Sequence, residues 1–224
     1  MESNEMSIQD LLNLEHPEKF FQGAKPYAKL MMEYKCAMLE VQTKLEVLNA
    51  EMSLHQEHNP FESIKCRIKS PSSIIGKLKR KGLPLSLSSI EGNIFDIAGI
   101  RVICSFPDDI YTLAASLCAQ DDITVLEKRD YIANPKESGY RSLHLVISIP
   151  IFLSDTKKHM PVEVQFRTIA MDFWASLEHK VRYKKDINNT EEIANELKAC
   201  ADIITEADYR MQAVRDAIEQ QKKD

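Results

Sequence analysis

In residues 161–167, Pro-Val-Glu-Val-Gln-Phe-Arg, apolar and polar side chains alternate from Val162 onward. On an extended strand that spacing puts Val162, Val164 and Phe166 on one face and Glu163, Gln165 and Arg167 on the other. Two further segments carry the same code. In 99–106, Ile100, Val102, Cys104 and Phe106 oppose Arg101, Ile103 and Ser105; in the segment ending at 149, Ser142, His144 and Ser148 share a face. Three such strands, if neighbours, form a half-buried sheet whose polar side is a floor for chemistry. A plainly solvated sheet face is the simpler alternative.

The strands lie between two long helical patterns. Tyr34, Met38, Val41, Leu45, Leu48 and Met52 step by four and three, which draws one apolar stripe along a helix. Ile193, Leu197, Cys200, Ile204, Ala207, Met211, Val214 and Ile218 repeat that rhythm behind a capping Asn189-Thr190-Glu191-Glu192. Such seams pack on the core, on each other or across a subunit boundary. Between them the pattern predicts a basic amphipathic helix over 70–82 with Ile74, Ile75 and Leu78 inward. Strands follow at 99–106, 123–129, 143–149 and 160–167, with helices from Pro107 to near Ala119 and over 169–183. A short helix over Ile8–Leu14, closed by His16-Pro17, precedes everything. The expected organisation is an extension at 1–24, a helix at 25–58, a central domain at 59–186 and a helix at 187–224. The fold class is α/β (α+β), a mixed sheet flanked by helices.

Composition narrows the setting. A chain of 224 residues can build one stable core, and no apolar run reaches the ~20 residues of a membrane span. The acidic, polar start is not a secretory signal. Five scattered cysteines without a CxxC suit thiols in a reducing cytoplasm, not a disulfide framework or a zinc site. The net charge of −5 argues against RNA as the main ligand. Yet Lys65, Arg67, Lys69, Lys77, Lys79, Arg80 and Lys81 fall in one stretch with no acid, which suits a compact anion.

Asp96, just ahead of one strand, and Glu163, inside another, are the two carboxylates that Mg²⁺ needs when substrate phosphates complete its shell. Asp96 is equally placed to cap the turn at Ala98-Gly99. Arg67 and Lys69, two apart on an extended piece, and Lys77 and Arg80, three apart on a helix, form with Ser73 a cradle for a polyphosphate. A solvated basic helix is the alternative. Neither GxxxxGK[ST] nor GxGxxG occurs. The loop 134–142, Asn-Pro-Lys-Glu-Ser-Gly-Tyr-Arg-Ser, sets Tyr140 among basic residues, as stacking on a base requires.

Four segments occur in order: R-x-K-x-x-x-S-I-I-x-K-L-x-R-K-G from Arg67, D-I-A-G-I-R-V-I-C from Asp96, R-D-Y-I…K-x-S-G-Y-R-S-L-H from Arg129, and V-E-V-Q-F-R-T-x-A-M-D-F-W-A-x-L-E-H-K from Val162. Together they resemble the synthetase domain of the RelA/SpoT family, nearest to its stand-alone small alarmone synthetases and more to the RelP than the RelQ type. The resemblance implies a nucleotidyltransferase-like fold and a homotetramer. It also implies transfer of pyrophosphate from ATP to the 3′-hydroxyl of GDP or GTP in the bacterial stringent response. Arg67 and Arg101 would sandwich adenine, while Lys69, Ser73, Lys77 and Arg80 would hold the ATP phosphates. Asp96 and Glu163 would bind Mg²⁺, with Glu163 also the base. Tyr140 would stack on guanine, with Arg129, Lys136, His144, Gln165 and Arg167 lining the acceptor side. Asp172 stands where RelQ-type chains carry asparagine, near guanine. His179 lies outside the implied site. No His-Asp doublet of a hydrolase domain is present, so synthesis alone is expected. The segment 63–66, Ser-Ile-Lys-Cys, lacks the Phe-x-Thr-Gly of the RelQ allosteric site. Another metal-dependent nucleotidyltransferase, or a catalytically silent oligomeric nucleotide- or RNA-binding protein, are the rival readings.

Overall fold

The computed structural model describes residues 17–55, 59–182 and 190–222. The expected helix over Ile8–Leu14 lies outside them. Helix α1 spans Pro17–His55. Pro17, expected to close an earlier helix, opens this one: proline suits a first helical position, where its missing N–H has no partner to lose. Tyr34, Val41 and Leu45 of the apolar stripe have no exposed surface, Met38 is buried, and Leu48 and Met52 pack at the rim of the same core.

Five strands follow: β1 (Phe61–Ile68), β2 (Ala98–Cys104), β3 (Thr124–Asp130), β4 (Leu143–Phe152) and β5 (Lys157–Thr168). They form one sheet in the order β1-β2-β5-β4-β3. Strands β2 and β5 run parallel, and the other neighbours are antiparallel. The three alternating strands are therefore adjacent. Helices α2 (Pro71–Arg80), α3 (Leu87–Asn93), α4 (Pro107–Cys118), α5 (Ile169–Arg182) and α6 (Thr190–Gln221) complete the chain.

The apolar face of the sheet carries Ile100, Val102, Cys104, Leu145, Ile147, Val162, Val164 and Phe166, all buried against α1 and α4. Side chains of this size stabilise by about 1.5–3 kcal/mol each when removed from water. Helix α2 begins behind Ser70, whose hydroxyl accepts from the Ser73 amide at 3.3 Å, and buries Ile74 and Leu78. Strand β1 and helix α3 are absent from the pattern-based expectation. β1 is an edge strand with charged Lys65 and Arg67 on one side and an irregularity between Phe61 and Ser63, so the apolar alternation is confined to Ile64, Cys66 and Ile68. α3 has seven residues, too short for a helical stripe, and is started by Ser86 accepting from the Ser89 amide. Among the described residues no helix is long and apolar enough to cross a membrane.

Candidate active site

Register converts the alternation into geometry. Glu163 faces Gly99 on one side and Val146 on the other; Gln165 faces Arg101 and His144; Arg167 faces Ile103. Further out, Arg67 pairs with Gly99, Lys65 with Arg101, and Arg129 with His144. One row thus crosses the whole sheet: Lys65, Arg101, Gln165, His144, Arg129. A cavity of about 370 Å³ opens over the near half of this floor, lined by Arg67, Asp96, Arg101, Glu163 and Gln165 among others. Its size falls within the range of small-ligand sites.

Asp96 sits in the turn before β2, where Lys69 Nζ reaches its Oδ2 at 2.5 Å and Lys77 Nζ at 2.8 Å. Lys69 comes from the end of β1, its amide held by the Ile97 carbonyl, and Lys77 from the last turns of α2. Burial pushes the Asp96 carboxyl up, but the two ammonium groups outweigh it and hold it below the ordinary carboxylate range. Its other oxygen, Oδ1, is buried with no hydrogen-bond partner. An orphaned carboxylate oxygen is costly, about 1–3 kcal/mol or more for a charged group. A cation beside it removes that cost.

Glu163 is the second carboxylate of the cavity. His144 Nδ1 lies 3.3 Å from its Oε1, and Gln165 donates to its Oε2 at 2.9 Å. Burial raises this carboxyl, the contacts from His144 and Gln165 lower it further than burial raises it, and it is ionised at neutral pH. The nearby Asp96 charge opposes them. Two like charges facing one cavity suit a cation between them. Among the described residues no cluster of three or more His, Cys, Asp or Glu side chains is disposed to hold a metal. A pair with open positions fits Mg²⁺, which takes one or two carboxylates together with substrate phosphates.

Beyond Glu163 the polar groups form one connected network. The Tyr140 hydroxyl meets His144 Nε2 at 2.8 Å and accepts from Arg167 Nη2 at 2.8 Å. Arg167 Nη1 and Arg101 Nη1 both donate to Asp172 Oδ1, each at 3.0 Å, and Lys65 stands 3.6 Å from Oδ2. Burial and the neighbouring Arg167 charge hold the Arg101 guanidinium below its ordinary value, with Asp172 opposing. Asp172 therefore joins the arginine expected on the ATP side to the one expected on the acceptor side. Lys136 Nζ lies 4.8 Å from the Tyr140 ring centre and 4.6 Å from that of Tyr131.

Of the other sequence-selected residues, Arg129 forms a fork with Glu127 at 2.6 and 2.8 Å on the edge strand and also contacts Tyr131. Ser73 accepts from Ser70 at the start of α2, and Arg80 is exposed in its last turn. Arg67 is exposed at the cavity rim. Ser142 is fully buried and donates to the Phe166 carbonyl at 3.0 Å. Tyr131 was missed. Its ring meets Tyr140 and His144 edge-on at 6.0 and 5.3 Å. The signal for it was its place in the R-D-Y-I segment. The sequence marks Lys65 only as one charge of the basic run.

The region found in RelA / SpoT proteins matches residues 66–188. The chain belongs to that family and, within it, to the small alarmone synthetases. It is 38% identical over 208 residues, 93% of this chain and 99% of the other, to GTP pyrophosphokinase YwaC of Bacillus subtilis. GTP pyrophosphokinase YjbM of the same organism is 37% identical over 88% of this chain and 92% of its own. The crystal structure of small alarmone synthetase 1 from Bacillus subtilis bound to its product pppGpp superposes with a TM-score of 0.79 at 38% identity. That alignment covers 87% of this chain and 98% of that one. The same synthetase bound to AMPCPP gives 0.73 at 34% identity, over 88% of this chain and 99% of that one.

Proposed function

We infer that this protein is a (p)ppGpp synthetase, an enzyme that moves the β,γ-pyrophosphoryl group of ATP to the 3′-hydroxyl of GDP or GTP and releases AMP. The observation that carries the mechanism is that Glu163 and Asp96 line one cavity, Asp96 with a buried Oδ1 left without a partner and with Lys69 and Lys77 on its other oxygen. Asp96 and Glu163 would hold Mg²⁺, which when bound neutralises charge on the phosphates being transferred.

In the mechanism we propose, Arg67 and Arg101 hold adenine, while Lys69, Ser73, Lys77 and Arg80 bind the ATP phosphates by charge-assisted hydrogen bonds. Tyr140 stacks on guanine, and Arg129, Lys136, His144, Gln165 and Arg167 line the acceptor side. Asp172 keeps Arg101 and Arg167 in fixed relation, and its carboxylate can accept from guanine N–H groups. The 3′-oxygen attacks the β-phosphorus, the bond from that phosphorus to the α-bridging oxygen breaks, and AMP leaves with the electron pair. The proton passes to Glu163, whose low-lying carboxyl is ready as an acceptor at neutral pH.

We also propose a cytoplasmic location and a homotetramer. Self-association is supported by the apolar surface this chain leaves open: Ile169, Phe173 and Leu177 on α5, and Met211, Val214 and Ile218 on α6.

Glu163→Gln tests the central assignment. With ATP, GDP and Mg²⁺, and products identified by mass, kcat should fall by about 10²–10⁴-fold, while nucleotide binding by calorimetry persists. Turnover near the wild-type rate would overturn the role of Glu163 as base.

A further inference from the structure

The loop between β3 and β4, residues 131–142, is closed at its base by the Tyr131 amide on the Ser142 carbonyl at 3.0 Å. Its tip is a tight turn, with the Gly139 amide on the Lys136 carbonyl at 2.8 Å and the Lys136 amide on the Tyr140 carbonyl at 3.2 Å. Gly139 has φ +84°, a conformation that side-chain-bearing residues rarely adopt. It is also pressed against another element. A Cβ built on Gly139 would lie 2.5 Å from the Ala201 Cβ of α6 and 3.6 Å from the Lys198 Cα.

Tyr140, the next residue, packs into the same contact. Trp174, Ala175 and Ala201 form a small cluster separate from the main core, and Tyr140, Leu197 and Ile204 pack on it. The Trp174 indole donates to the Leu197 carbonyl at 2.8 Å, which fixes α6 against α5 at this height. One end of Tyr140, its hydroxyl, is held by Arg167 and His144 on the sheet. Its ring packs on the cluster where α5 meets α6. Interiors packed to this density transmit the addition of even one methyl group.

We propose that Ala201 on α6 is a positioning residue for the guanosine nucleotide: by presenting no more than a methyl group to Gly139, it sets the height of the loop and hence of the Tyr140 ring. It touches no substrate. The proposal rests on the reading of Tyr140 as the guanine-stacking residue. The helix outside the sequence-matched synthetase segments thereby enters acceptor binding, while the ATP side is built on β1, β2 and α2.

The test is a graded series in the full chain, Ala201→Gly, Ala201→Ser, Ala201→Val and Ala201→Leu, with KM for GDP and for ATP measured separately. The glycine variant should stay within about twofold of wild type, and the GDP KM should climb with side-chain size to about tenfold or more. The ATP KM should be unchanged. A purely structural role would lower the active fraction, and so kcat, without separating the two KM values. If the leucine variant fails to fold, the serine and valine steps carry the same comparison. Tyr140→Ala provides the second arm. It should raise the GDP KM by itself, and Ala201→Val should add little in that background, because both act through one ring. A flat GDP KM across the Ala201 series, or a parallel rise for ATP, overturns the proposal. If Tyr140→Ala raises the GDP KM while the series stays flat, the stacking role stands and the lock fails. If Tyr140→Ala leaves the GDP KM unchanged, the stacking role fails.

Discussion

The two long helices carry nearly the same apolar rhythm and meet opposite fates. Along α1 the stripe of Tyr34, Met38, Val41 and Leu45 is buried on the sheet. Along α6 only the first part of the equivalent stripe, Ile193, Leu197 and Ile204, is partly covered, while Met211, Val214 and Ile218 are 60, 54 and 52% exposed. What docks α6 is another line one step around the helix: Ala201, Asp208 and Arg215. Asp208 accepts from the Thr168 hydroxyl at 2.6 Å, and Arg215 forks onto Asp108 at the start of α4 and lies over the Phe106 ring. An apolar stripe states that a helix needs a partner. It does not state that the partner belongs to the same chain, and a docking line of Ala, Asp and Arg is invisible to any search for apolar periodicity.

The contrast can be broken in three ways. The largest effect is expected at Leu45→Ala, which empties a fully buried position and should cost about 2–5 kcal/mol in urea unfolding. A cost like that of an exposed position would mean that α1 is not the anchoring helix. A smaller but more diagnostic change is Val214→Glu. It should leave the fold as judged by circular dichroism yet reduce the mass measured by light scattering at micromolar concentration. A wild-type chain that is already monomeric there would remove the proposed assembly.

The smallest effect is expected at Asp208→Asn. Burial pushes the Asp208 carboxyl above its ordinary value, against the Thr168 hydroxyl and Arg141. A raised folded value means that the protonated form is the one folding favours. Its contribution is complete below the unfolded value and disappears as pH rises through the folded one. Between those two values the wild type should lose stability relative to the asparagine variant as pH rises, followed by thermal unfolding. Parallel profiles for the two proteins would show that this acid is not burdened by its burial.

Most of the candidate site was legible because strand alternation is a local property. Glu163, Gln165 and Arg167 had to share a face once the segment was extended, and so did Arg101 with Ile103. Their neighbours could only be assumed, and the register supplied them: Gln165 between Arg101 and His144, Glu163 beside Gly99. Asp172 shows the limit. The family resemblance put it near guanine, but its bonds to both Arg101 and Arg167 depend on how α5 leaves the end of β5. Strand β1 was readable in principle from Ile64, Cys66 and Ile68, though charged neighbours at the sheet edge diluted its signal.

The sequence by itself determined the two apolar seams, the alternating strands and the ordered set of charged and aromatic residues, because each is written in spacing along the chain. Tertiary structure alone decided which face of α6 docks, which Asp96 oxygen is left without a partner, and that Gly139 rests on Ala201. Those depend on groups brought together across 19 to 107 residues of chain, from Lys77–Asp96 to Asp108–Arg215. No local period encodes contacts of that kind; they follow from the packing of whole elements against one another.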